Sequence, residues 1–301
     1  MGPWKKKRRI GRLKVSKGAR MRKIGFLVLA AVLTAATASA AISVKLTGGL
    51  TYLFGNDYDS GVRGTYDFLK DNYESVTGLF RPLSLGGSGA VEVIVPFDGG
   101  LGLGFGAGVF QISANNRFDY AWWVYTGTES YEPQLTVIPI TLNLHYRWPL
   151  GNALDVDLFG GAGGYLMRFE NKSSSTSDFF AYDREKTFMA QKMVFGLQAG
   201  ISLEIKVNPH LAVIFQSEAR LAKATYLQGD WTEEESWFLG NRREEGQNGI
   251  FWFYDKTDAN GTYPQVEFAK TQPSDPAYAN VRKGTFDLSG ISAAAGIKIT
   301  F

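Results

Sequence analysis

Cysteine is absent from this 301-residue chain, and histidine is nearly so, with only His145 and His210. The missing thiols exclude a disulfide framework, thiolate metal sites and a cysteine nucleophile. Two histidines leave little scope for imidazole chemistry. Proline is scarce at 10 residues, so long stretches of backbone can stay regular. Beyond residue 40 no apolar run reaches the roughly 20 residues that a spanning helix needs. The acidic runs "DREK" and "EEES" lack Cys and His, and "GNDYDSG" lacks the glycine and glutamate spacing of a calcium loop. "GLGLGFGAG" invites a dinucleotide reading, but its period is two and no helix follows. No metal and no cofactor is expected.

The formal charge of +3 is misleading. The first forty residues hold eleven Lys and Arg and no acid. Beyond them, 21 bases face 29 acids, a net charge near −8. That balance excludes a nucleic-acid surface. The basic stretch leads into "IGFLVLAAVLTAATASA", a short apolar run with a small-residue end. This is the layout of a secretory signal peptide over 1–40, cleaved after about Ala40. Met21 opens a complete signal by itself, so the start expected from this pattern is Met1 or Met21.

What the rest of the chain has in abundance is alternation. In "MVFGLQAGISLEIKV" the odd positions from Met193 to Val207 are apolar, while Gln198, Ser202, Glu204 and Lys206 fall on even ones. A helix cannot separate these sets; a strand does so automatically. The pattern recurs at 42–54, 83–95, 101–112, 136–148, 154–167, 211–221 and 291–301. Eight strands are expected, or ten if the hairpin pattern within 250–268 joins them. Short turns at 96–100, 149–153 and 208–210 carry Pro, Gly and Asn. They alternate with long segments at 55–82, 113–135, 168–190 and 222–286. Such a layout fits an all-β, closed, antiparallel up-and-down transmembrane barrel over 41–301, with short periplasmic turns and long extracellular loops. One face of each strand is bulky and apolar; the other mixes glycine with charges of both signs. A soluble barrel would turn its apolar face inward, whereas small and charged residues suit a narrow interior. Tyr52, Phe54, Phe97, Tyr146, Trp148 and Phe301 lie near strand ends, as interfacial girdles do.

"VIPITLNLHYRWPLG" followed by "VDLFGGAGGYL" resembles the middle hairpin of eight-stranded bacterial outer-membrane barrels, OmpA-like and OmpW-like ones in particular. The terminal "ISAAAGIKITF" is similar to the assembly signal of that superfamily, with Ile297, Ile299 and Phe301 in the matching places. The resemblance implies the outer membrane of a Gram-negative-type bacterium. It implies outer-membrane lipid and the barrel-assembly machinery as partners, with a surface ligand held through the loops.

The inward face should carry Lys45, Glu92, Arg147, Asp155, Asp157, Lys192, Glu204, Lys206, Glu218, Arg220 and Lys298, with His145 among them. Six bases against five acids predict a paired interior plug rather than an ion-selective pore. Arg147 is expected to pair with Asp155 or Asp157. His145 could meet either carboxylate, but no serine nucleophile can be placed beside it, so no catalytic residue and no enzyme is expected. The loops concentrate aromatics: Trp122, Trp123, Trp231, Trp237, Phe251, Trp252, Phe253 and Tyr254. They either cap the barrel or form a recognition surface. The function expected is non-enzymatic, in envelope structure and surface interaction. The alternative is an OmpW-like, porin-like conduit for small apolar or amphipathic solutes.

Overall fold

A computed structural model describes residues 42–301, apart from 179–180 and 238–239. The expected signal peptide and its cleavage site lie outside the described residues. Residues 42–301 form one compact unit. Its elements are β1 (Ser43–Leu53), α1 (Asp57–Asn72), β2 (Ser75–Thr77), β3 (Leu85–Pro96), β4 (Leu101–Ser113), β5 (Asn116–Trp122), β6 (Tyr125–Pro149), β7 (Leu154–Ser177), β8 (Tyr182–Asn208), β9 (Leu211–Thr225), β10 (Gln228–Trp237), β11 (Gly240–Thr257), β12 (Thr262–Ala269), β13 (Tyr278–Lys283), β14 (Thr285–Asp287) and β15 (Gly290–Thr300).

The chain is all-β and antiparallel, but its described strands number fifteen, not eight. Eight of them, β1, β3, β4, β6, β7, β8, β9 and β15, pair in a cycle. β1 pairs with β3 and β15, β15 with β9, and β9 with β8. The path returns through β7, β6 and β4 to β3. The hairpin at 250–268 does form, as β11–β12 with its turn at Asp258–Gly261. It stays outside the cycle, because β10 meets β8 only along Asp183–Ala190.

The extra strands come from segments expected to be loops. β6, β7 and β8 run for 25, 24 and 27 residues, more than twice the roughly 9–11 that cross a bilayer. Their lower halves belong to the cycle and their upper halves stand above it. Alternation fails in the upper halves because the outward side chains turn polar, as in "FENKSSSTS" of β7.

The segment 55–82 contains a helix that alternation could not reveal. Asn56 caps α1 by accepting from the Asp59 N–H at 2.8 Å, and Asp57 and Asp59 sit in the first turn. Tyr58, Val62, Thr65 and Leu69 form its buried face at helical spacing. That face lies over the barrel mouth against β12. Gly61 and Gly64 allow the approach: a Cβ on Gly64 would stand 1.9 Å from the Pro264 carbonyl oxygen. Arg282 clamps the helix start, its guanidinium donating to both Asp57 oxygens at 2.5 and 2.8 Å. Below, Tyr58, Phe110, Phe169, Phe188, Phe251, Phe268 and Phe286 fill the mouth, nearly all fully buried. Asp59 accepts from the Leu83 N–H at 2.8 Å. Burial nevertheless pushes its carboxyl up to about 6, against the opposing pull of Leu83 and Asn56.

Two outcomes follow. Gly64→Leu should lift α1 from β12 and speed hydrogen exchange of the 62–69 amides, while the barrel keeps its mobility shift on boiling; unchanged exchange would count against the close contact. The raised Asp59 carboxyl should stabilise the seated helix most fully below about pH 4, with that contribution lost as pH rises through about 6. Exchange protection of the same amides measured between pH 4 and 7 checks the sign.

Candidate functional site: the polar interior

Side chains of opposite strand parity sort by chemistry, and the sorting is inside-out. Lys45, Glu92, Asn143, His145, Asp155, Asp157, Glu204, Arg220 and Lys298 are all buried. On the same strands Leu50, Val91, Ile140, Leu144, Phe195, Leu197, Ile201, Phe215 and Ile291 are exposed.

Three polar layers occupy the interior. At the short-turn end, Asp155 holds Lys206 at 2.8 Å. Arg147 lies 3.9 Å from Asp155 and 3.8 Å from Glu204, with about a third of its side chain exposed. Asp157 is its cross-strand partner, yet that carboxylate is taken by His145. The middle layer is tighter. Lys298 donates to both Glu204 oxygens at 2.7 and 2.6 Å. His145 bridges Asp157 Oδ2, 2.9 Å from Nδ1, and Glu92 Oε1, 3.0 Å from Nε2. Lys45 Nζ stands 2.7 Å from Glu92 Oε2 as an ion pair without an aligned hydrogen bond. Asn143 donates to Glu92 at 2.7 Å and accepts from Gln198 at 2.9 Å. The upper layer holds Glu218 and Arg220 around a cavity of about 90 Å³. Arg220 donates to the Leu288 carbonyl at 2.9 Å and stacks on Phe110 at 4.2 Å.

Lys192 departs from the expected cluster. Its ammonium donates to the Thr225 and Tyr226 carbonyls at the upper end of β9. It therefore caps a strand end at the rim. Asn143 and Gln198, which tie the middle layer together, are site residues that a search for charge does not find. Both share the parity of their charged neighbours, so the signal is present, but neutral side chains carry no weight in such a search.

His145 has two carboxylate partners. Ser202 lies opposite Asp157 on the neighbouring strand, but its buried hydroxyl has no hydrogen-bond partner among the described residues.

The loop aromatics divide. Phe251, Trp252 and Tyr254 are buried, and Trp252 donates to the Ala269 carbonyl at 3.1 Å. Phe253 takes the Arg282 guanidinium on its ring at 4.4 Å, and Trp231 packs against the same core. Trp122, Trp123 and Trp237 are exposed at hairpin tips, Trp237 edge-on to Tyr182. Ile297 of β15 and Phe301 just beyond it are exposed, Ile299 is half-buried, and the Phe301 N–H donates to the Ile42 carbonyl at 2.9 Å.

No family model and no curated protein matches the chain. Among solved structures it is similar to a major outer membrane protein from Thermus thermophilus, at 13% identity and a TM-score of 0.36, covering 87% of this chain and 100% of that one. It is also similar to the outer membrane protease OmpT from Escherichia coli, at 9% identity and a TM-score of 0.34, covering 87% of this chain and 97% of that one.

The layers predict unequal costs. Lys298→Met strands a buried carboxylate and should destabilise by about 3–5 kcal/mol. Arg147→Leu removes longer, partly hydrated contacts and should cost about 0–1 kcal/mol. Urea midpoints in detergent micelles would test the contrast; equal shifts would contradict the layering.

Proposed function

We propose that this chain is an outer-membrane barrel, closed to bulk flow and non-enzymatic, that holds a tall polar sheet and its loops outside the cell. The observation that carries this reading is the inside-out sorting of the eight-strand cycle. Water would favour the reverse, because exposing so many large apolar side chains forfeits about 25 cal/mol for each Å² left unburied. A hydrocarbon surround removes that cost.

The outer face also supports a boundary. Ile138, Leu166 and Met193 are cross-strand partners at one level. One step up on the same face stand Thr136, Arg168 and Gln191. Apolar thus gives way to polar at one height on three neighbouring strands. Downward from Ile138 the apolar face of β6 runs to Tyr146 and Trp148, both exposed. About eleven tilted residues suit an apolar band of roughly 25 Å. Phe97 and Phe301 share the lower end as a girdle. No described helix is long and apolar enough to cross a membrane, which says nothing of strands.

Closure to flow is supported by the aromatic mouth over the paired interior. The conduit alternative lacks a comparable supporting observation: the cavities among these layers, of about 90 and 140 Å³, are lined by the paired charges themselves.

The natural absence of cysteine makes the orientation testable. Thr176→Cys at the tall end should react with a membrane-impermeant maleimide on intact cells, and Asn152→Cys at a short turn should not; the reverse pattern would overturn the orientation. In planar bilayers the purified chain should show no steady conductance. A stable stepwise pore would overturn the closed reading.

A further inference from the structure

Above the proposed membrane boundary lies a second cavity, of about 240 Å³. It is separate from the barrel interior and far exceeds the roughly 10–15 Å³ that one water needs. One wall is the inward face of the upper sheet, with Glu129 and Tyr131 from β6 and Ser173 and Ser175 from β7. The facing wall comes from the folded-over strands, with Tyr254 from β11, Glu267 from β12 and Tyr278 from β13. The Tyr254 and Tyr278 rings meet tilted at 32°, their centroids 4.3 Å apart.

The charges decide what could enter. Arg184 and Lys186 also reach the cavity, but both are committed. Arg184 is bound to Glu233 and lies 3.6 Å from Glu235, and Lys186 lies 3.3 Å from Glu233. Two bases and two acids close that account. Glu129 and Glu267 form no ion pair among the described residues. Glu129 accepts from the Ser175 hydroxyl at 2.6 Å. Burial holds its carboxyl up to about 7, although Ser175 and Arg184 pull it down. A half-buried carboxylate left without a cation, in a cavity with room for one, is an incomplete pair. Tyrosine rings favour an ammonium as well, and clustered hydroxyls suit a polyol.

We propose that this cavity binds one amine-bearing sugar residue, its ammonium between Glu129 and Glu267, its hydroxyls on Ser173 and Ser175, and its ring against Tyr254. The inference rests on the proposed membrane reading only for the side of the membrane on which the site opens.

The test is calorimetric titration of the full chain, refolded in detergent micelles, with D-glucosamine and separately with D-glucose. Saturable binding of glucosamine is expected, at least tenfold tighter than glucose. Glu129→Gln keeps the shape and the acceptor for Ser175, and should weaken glucosamine at least tenfold. Glu267→Gln provides an independent variant should the first fail to fold, with folding judged by the mobility shift on boiling. No saturable heat, equal affinity for the two sugars, or full affinity in a folded Glu→Gln variant would each overturn the site. Tight glucosamine binding by a chain that shows no shift on boiling would support the site while removing the membrane reading.

Discussion

Everything in this molecule depends on the ladder between its first and last strands. β1 and β15 pair without interruption from Ser43 with Thr300 to Leu53 with Gly290. Leave that ladder open and two edges present unpaired N–H and C=O groups along their whole length. In a hydrocarbon surround those groups would find no partner, so closure is a condition of the fold rather than an ornament. Closure then fixes the diameter, and the diameter fixes the interior. Eight strands leave a bore just wide enough for side chains to fill. Polar residues pointing into so narrow a space must therefore find one another.

They do so with a gradient of commitment. The middle layer is a tight lattice in which Glu92, His145 and Asp157 share bonds and Glu204 grips Lys298. The layer at the short turns is looser, with Arg147 placed between two carboxylates at almost 4 Å. This fits a barrel whose waist is sealed from solvent and whose lower rim is wet. The mouth uses a different principle. There α1 and the β11–β12 hairpin bring aromatic rings together, so its seal is apolar.

The wall was legible in the sequence and the superstructure was not, for a physical reason. Between a polar interior and an apolar exterior, each residue must declare a side, so alternation is strong in stretches such as Met193–Val207. Above the boundary both faces of β6, β7 and β8 meet polar surroundings on at least one side, and Ser173 through Ser177 read like a loop. α1 was hidden by Gly61 and Gly64, poor helix formers kept for close packing. Its cap at Asn56 and the spacing of Tyr58, Val62, Thr65 and Leu69 were nevertheless visible. Arg147 went to Asp155 and Glu204 instead of its direct neighbour Asp157 because His145 claims that carboxylate, a competition that pairwise reasoning does not see. Glu129 had no neighbour in sequence to mark it, since its cavity is assembled from strands far apart along the chain.

The helix over the mouth carries a consequence for the order of events during folding. Its Thr65 hydroxyl bonds Gln265, 200 residues further on, and Tyr263 reaches back to Asp71 across 192. Contacts between segments so remote close late, because the intervening chain must first surrender its freedom. The wall strands β1 and β3, by contrast, are joined across a far shorter interval. The ladder that closes the barrel is more remote still, joining Ser43 to Thr300 across 257 residues, so the closing of the wall and the seating of the helix both wait for the end of the chain.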